Sequence, residues 1–294
     1  MFQLAYRQFL LDPPRSMLTS FAIAAVIAVI LLLEGFEAGL YTQSRRAVLD
    51  RGADLFVTQA GVSNLLATRS TLPQLTRIQV EAIEGVATAH PLTAIPVIYD
   101  KDGSKTPVFV WVYDSKGGPS SIIQGKPVTH GRDIVIDMAL AKKHALSIGD
   151  PFIVSDFEFR VAGFTQDAAA LFTSFAFVNY DGMLDLFLES EIAPDISTFP
   201  LLSFLLVEFE PNAAPDQIAQ QIEQRIPDAD VYMPGQLAAN DVQLGRDLLG
   251  PILGLLISIA YGIGLLVAGL IMYADVTTRL RNFGVLTAIL HEGL

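Results

Sequence analysis

LLGPILGLLISIAYGIGLLVAGLIMYA, residues 248–274, runs for 27 positions without a charged side chain. A helix rises about 1.5 Å per residue, so the stretch is about 40 Å long, more than the ~30 Å hydrocarbon layer of a bilayer. It reads as a membrane-crossing helix that tilts or protrudes. A second stretch, SMLTSFAIAAVIAVILLL at residues 16–33, is uncharged over 18 positions and spans about 27 Å. Its apolar run exceeds the roughly 7–15 residues of a cleavable signal peptide. Neither Ala38 nor Gly39 has a small residue two positions before it. The reading is therefore a retained anchor.

The flanks of these helices set an orientation. Arg7 and Arg15 precede the first; Arg279 and Arg281 follow the second. Basic residues stay on the cytoplasmic side. Both termini are expected inside and the middle of the chain outside. Residues 34–247 hold 15 Lys and Arg against 28 Asp and Glu, a net −13 within a whole-chain charge of −12. Such an acidic balance excludes a nucleic-acid partner, since phosphate binding requires Lys and Arg. Only 17% of the chain is charged, below the ~25% of soluble domains. There is no cysteine, hence no disulfide, thiolate metal site or cysteine nucleophile.

The expected order is a cytoplasmic amphipathic helix over residues 1–15, a first membrane helix over 16–36, an extracytoplasmic domain over 37–247, a second membrane helix over 248–274, and a cytoplasmic segment over 275–294. Phe2, Tyr6, Phe9 and Leu10 recur at helical spacing before Pro13-Pro14 breaks the pattern, which suits a helix lying in the interface.

Within the outer segment, residues 53–59 alternate as a strand. Residues 71–84 read as a helix, with Leu72, Leu75, Ile78 and Ile83 at near-helical spacing and Pro73 in its first turn. Residues 96–99 and 107–113 read as a strand pair around the turn Asp100-Lys101-Asp102-Gly103. Strand 202–210, helix 215–226 and strand 230–233 close the domain. It thus opens and closes on a β-α-β unit. Between them, about 120–195, lies a mainly β insertion, with strands at 133–137, 152–154, 158–164 and 173–178 and a short helix at 139–144. The fold class is an α+β membrane protein, two transmembrane helices flanking a large α/β domain.

No catalytic constellation emerges. His90, His130, His144 and His291 show no metal-ligand spacing, and His144, on a polar helix, reads as a solvated surface residue. There is no G-x-S-x-G elbow, and Gly125-Lys126 followed by Pro127 is not a phosphate-binding loop. No catalytic, cofactor-binding or metal residue and no cofactor is expected. Trp111, in an apolar strand, reads as core. Gly250, Gly254, Ser258 and Gly262 put a small residue every four positions of the second span. Such a stripe admits close helix packing, and the first span is the expected partner.

Several segments resemble the FtsX-like, MacB-type ABC transporter permease family, nearest its cyanobacterial DevC-like branch. Leu33-Glu-Gly-Phe36 with Gly39-Leu40, then Gly52-Ala-Asp-Leu-Phe-Val-Thr-Gln59, is similar to that family's exit from its first span. Asp133-Ile-Val-Ile-Asp137, Leu140-Ala141, Leu146, Ile148-Gly-Asp150, Phe159-Arg-Val-Ala-Gly163 and Ala176-Phe-Val178 resemble its periplasmic core domain. Thr278-Arg-Leu-Arg-Asn-Phe-Gly-Val-Leu-Thr-Ala-Ile289 resembles the cytoplasmic coupling helix that sits in a groove of the ATPase. The resemblance assigns ATPase coupling to Arg279, Arg281, Phe283, Gly284, Leu286 and Leu290; Phe283, Leu286 and Leu290 fall on one helical face. Asn282, Thr287 and Leu290 depart from the family's acidic, basic and glycine positions, and its two further spans do not follow. The expectation is a truncated or split permease, or one whose partner supplies the rest.

The resemblance implies a non-catalytic permease subunit of the bacterial plasma membrane. It would couple ATP hydrolysis by a separate ABC ATPase to movement of the outer domain, for export or extraction of a lipid-like or hydrophobic substrate. The implied partners are that ATPase, a second permease chain (identical or not), a periplasmic adaptor protein and membrane lipid. The alternative is a two-span sensor or polysaccharide chain-length regulator. Such regulators need long outer helices, and the ones read here are short.

Overall fold

The structure is a computed structural model describing residues 13–66, 70–154, 156–166, 168–170, 172–189 and 202–291, with side chains at 13–16, 275 and 278–291 left undescribed. The chain divides into two compact units. One is Met1–Gly39 with Asp247–Leu294, and the other is Leu40–Arg246.

The first unit is built from two long helices. Helix α1 covers Pro13–Leu49, and the last helix, α6, covers Pro234–His291 with Pro251 inside it. Both contain a segment long and apolar enough to cross a membrane. Their apolar side chains point outward: Phe21 is 73% exposed and Leu265 76%, as lipid-facing residues must be. The expected amphipathic helix, with Phe2, Tyr6, Phe9 and Leu10, lies outside the described residues apart from its last positions.

The second unit is organised on one sheet. Its strands are β1 (Leu55–Gln59), β2 (Val86–Lys101), β3 (Ser104–Tyr113), β4 (Gln124–Gly125), β5 (Asp133–Asp137), β6 (Pro151–Val154), β7 (Phe157–Thr165), β8 (Ala169–Ala170), β9 (Thr173–Asn179), β10 (Phe204–Phe209) and β11 (Ala229–Tyr232). The order is β11-β1-β10-β2-β3-β9-β5-β7-β4, with β6 on β7 and β8 on β9. The helices between are α2 (Leu75–Glu81), α3 (Met138–Lys143), α4 (Tyr180–Glu189) and α5 (Pro215–Arg225).

The two β-α-β units are present but interleaved. Strand β10 pairs antiparallel with both β1 and β2, so β1 and β2 run parallel with β10 between them. In the same way β1 separates β10 from β11. This is a split β-α-β arrangement. Helices α2 and α5 cover one face through Val80, Ile218 and Ile222, with Ile83 from the turn after α2, and these pack on Leu55, Val57, Ala89, Leu205 and Val207. The β-rich insertion is no separate layer. Strand β9 joins β3 in parallel from Val108↔Ser174 to Tyr113↔Asn179, and β5 and β7 extend the sheet beyond it.

Local signals decide the hairpin of β2 and β3. Asp102 and Gly103 both have positive φ, 54° and 84°, the two-residue turn whose twist matches flanking strands. Asp100 accepts from Gly103 N at 2.9 Å. Helix α2 departs from expectation. It begins at Leu75 and ends at Glu81, its buried residues are Thr76 and Val80, and Leu75 and Ile78 are 59% and 63% exposed. Leu72 and Ile83 are buried from the flanking turns instead. Four apolar residues at loose spacing mixed one buried face with one exposed one.

Candidate functional site

In the helical pair, contact forms away from the expected stripe. A Cβ built on Gly264 would lie 2.8 Å from Val26 Cγ1 and 3.8 Å from Ile30 Cδ1, so Gly264 is the point of close approach. At Gly254 and Gly262 nothing lies within 4 Å. At Gly254 and Gly262 the first span is therefore not in contact, a departure from the expected packing at those two positions. The Ser258 hydroxyl donates to Gly254 O at 2.7 Å within its own helix. Three residues on, the Tyr261 hydroxyl donates to Glu34 Oε1 at 2.6 Å. This polar link joins the outer end of one apolar run to the middle of the other.

Arg279, Arg281, Phe283, Gly284, Leu286 and Leu290 fall within the helical bounds of α6, but their side chains lie outside the described residues.

The outer unit holds three polar features that the sequence did not announce. The first is Arg51, two residues past α1 and 4% exposed. Its guanidinium lies 5.6 Å from the Trp111 ring centre, 5.9 Å from Phe175 and 5.0 Å from Phe177. Nε donates to Ala47 O at 3.0 Å, and Nη1 to Gly117 O at 2.7 Å and Gly118 O at 3.3 Å. Burial pulls its pKa down to about 10, partly offset by Asp50, so the group remains a cation at neutral pH. Ring faces and carbonyl dipoles surround that charge.

The second feature is a chain of four side chains. Ser115 Oγ lies 2.8 Å from His90 Nδ1, His90 Nε2 lies 3.0 Å from Glu208 Oε2, and Lys116 Nζ lies 2.5 Å from Glu208 Oε1. Hydrogen bonds from Lys116 and then His90 lower the Glu208 pKa. His90 sits opposite Leu206 in the register of β2 and β10. The third is Asp241 on α6, fully buried, accepting from Leu65 N at 2.9 Å and Leu66 N at 3.1 Å. Burial raises its pKa to about 6 against the pull of those two N–H groups.

His144 overturns its expected place at the surface. It is 5% exposed, its Nε2 lies 2.7 Å from Thr106 Oγ1, and its ring meets Tyr99 edge-on at 4.9 Å. Burial, then Lys143 and Lys101, lower its pKa, so the ring is held neutral. A short polar helix conceals this because the partner strand is distant in sequence. Trp111 is fully buried, as its apolar strand implied. Among the described residues no group of three His, Asp or Glu is placed to hold a metal ion.

The residues quoted for the family resemblance are chiefly packing positions. Leu140, Ala141, Leu146, Phe159, Val161, Ala176 and Val178 share one core. Asp137 caps α3 by accepting from Ala139 N at 2.7 Å and also takes Ala168 N at 3.0 Å. Arg51 had one sequence signal, a cation followed by Gly52 just past a long helix. Asp241 had none, because its partners lie about 175 positions away.

Residues 18–225 match the family described as MacB-like periplasmic core domain. An uncharacterized ABC transporter permease of Mycobacterium bovis is 23% identical over 266 residues, covering 90% of this chain and 69% of the relative. Another from Mycobacterium tuberculosis is 22% identical over 278 residues, covering 94% and 72%. The crystal structure of the periplasmic region of MacB from Actinobacillus actinomycetemcomitans aligns with a TM-score of 0.45 at 11% identity, over 66% of this chain and 94% of that one.

Proposed function

The chain belongs to the MacB-like periplasmic core domain family of ABC transporter permeases, and from that premise we propose that it is the permease subunit of a transporter driven by a separate ATPase. The observation that carries this reading is the family match over 18–225 between two apolar helices. Both termini face the cytoplasm and residues 37–247 face outward. The ATPase engages the end of α6 through Phe283, Leu286 and Leu290, with Arg279 and Arg281 beside them and Gly284 allowing close approach. A second permease chain, identical or not, meets the small-residue stripe Gly250, Gly254, Ser258 and Gly262, at whose Gly254 and Gly262 nothing lies within 4 Å. A periplasmic adaptor protein docks on the outer domain. The chain itself performs no covalent chemistry. Its substrate is lipid-like or hydrophobic and is moved at the outer leaflet without a polar tunnel, which the uncharged second span supports.

Affinity purification of the full chain from its native membrane tests this. An ABC ATPase, identified by mass spectrometry and by ATP hydrolysis, should co-purify, and Phe283→Ala should reduce its yield while leaving expression intact. Equal yield with Phe283→Ala would remove the coupling assignment.

A further inference from the structure

Residues 114–121, between β3 and β4, form an irregular loop fastened from three directions. Arg51 holds the carbonyls of Gly117 and Gly118. Lys116 reaches Glu208 on β10, and Ser115 reaches His90 on β2. The loop seats only with glycine at 117. There φ is +90°, and an added Cβ would lie 2.8 Å from Leu92 Cδ1 and 3.0 Å from Leu206 Cδ1.

Arg51 differs from the other two fasteners. It is buried with the backbone carbonyls of Ala47, Gly117 and Gly118 as acceptors, an expensive placement for structure alone. Its planar fork bonds the last turn of α1 at Ala47 O with one nitrogen and the loop with another. A guanidinium is rigid, and this one is held between the Trp111, Phe175 and Phe177 rings. Rotation or translation of residues 40–49, which belong to the same unit as the sheet, must therefore either drag the loop or break those bonds. Lysine cannot substitute, because its single ammonium has no fork to span both carbonyl sets.

We propose that Arg51 is the positioning residue that carries movement of the last turns of α1 into loop 114–121, and through Lys116 and Ser115 into β10 and β2. This rests on the permease reading, which supplies the movement.

The test uses the full chain with its ATPase in lipid nanodiscs, followed by hydrogen–deuterium exchange. Peptides covering 40–50 and 114–121 are compared without nucleotide and with ATP on a hydrolysis-deficient ATPase. In the unmodified chain both peptides should change exchange severalfold with ATP. In Arg51→Gln the change at 40–50 should persist while that at 114–121 is lost, and Arg51→Lys should behave like Arg51→Gln. Rescue by lysine would assign the residue a charge-balancing role and overturn the proposal. A response at 40–50 with a silent loop in the unmodified chain would overturn it without any variant, so the test survives a failure of Arg51 variants to fold. No nucleotide response anywhere in the chain would instead remove the permease reading, and this proposal with it.

Discussion

Asp241 and Leu65 stand 176 residues apart in sequence and are joined at 2.9 Å, the carboxylate accepting the amide N–H. Leu66 N donates to the other oxygen, so one buried side chain ties the loop after β1 to the start of α6. Burial raises the carboxyl to about 6 from an ordinary 3.8. The native state then binds a proton that the unfolded chain has released. Its contribution to stability is fully present below about pH 4 and lost as pH rises through about 6, by roughly 3 kcal/mol at most. Asp241→Asn should flatten that part of the stability profile. Trp111, the only tryptophan, is buried in this unit, so its fluorescence during denaturant unfolding of the full chain reads the effect. An unchanged pH slope in Asp241→Asn would place the titration elsewhere.

Gly264 is a point of close approach in the helical pair, an added Cβ lying 2.8 Å from Val26 Cγ1. Gly264→Leu should force α6 from Val26 and cost about 1–2 kcal/mol, read as earlier unfolding of the detergent-solubilised chain in sodium dodecyl sulfate. Gly254→Leu should leave that midpoint unchanged, because nothing lies within 4 Å of Gly254. It should instead weaken association with a second permease chain. The reverse pattern would return the stripe to the intrachain contact.

The absence of cysteine gives a clean test of orientation. Lys105→Cys, at a side chain 70% exposed, should react with a membrane-impermeant maleimide on intact spheroplasts. Thr277→Cys should react only after permeabilisation. Labelling of Thr277→Cys in intact spheroplasts would invert the topology.

Legibility followed sequence distance. The turn at Asp102-Gly103 is set by two residues with positive φ and was readable from four letters. Helix α5 was equally plain, since Ile218 and Ile222 are buried on one face. The first half of β2 was not legible. It runs from Val86, ten residues before the first strand read there, and Ala89-His90-Pro91 shows no alternation because His90 is buried beside Ala89 through its bonds to Ser115 and Glu208. The joining of β9 to β3 was also hidden, as parallel partners 66 positions apart, such as Val108 and Ser174, leave no local trace. The coupling residues rest on the resemblance alone, their side chains lying outside the described residues. Arg51 and Asp241 were not legible, because carbonyls, ring faces and amides supplied by distant loops define them.

Partnership with an ATPase is tested by ATP hydrolysis of the cognate ATPase in nanodiscs, measured alone, with the full chain, and with the chain carrying Phe283→Ala. The chain should alter the hydrolysis rate severalfold, and Phe283→Ala should return it toward the value of the ATPase alone. A rate indifferent to the chain, with the ATPase shown to be active and the chain folded by its Trp111 fluorescence, would contradict that partnership.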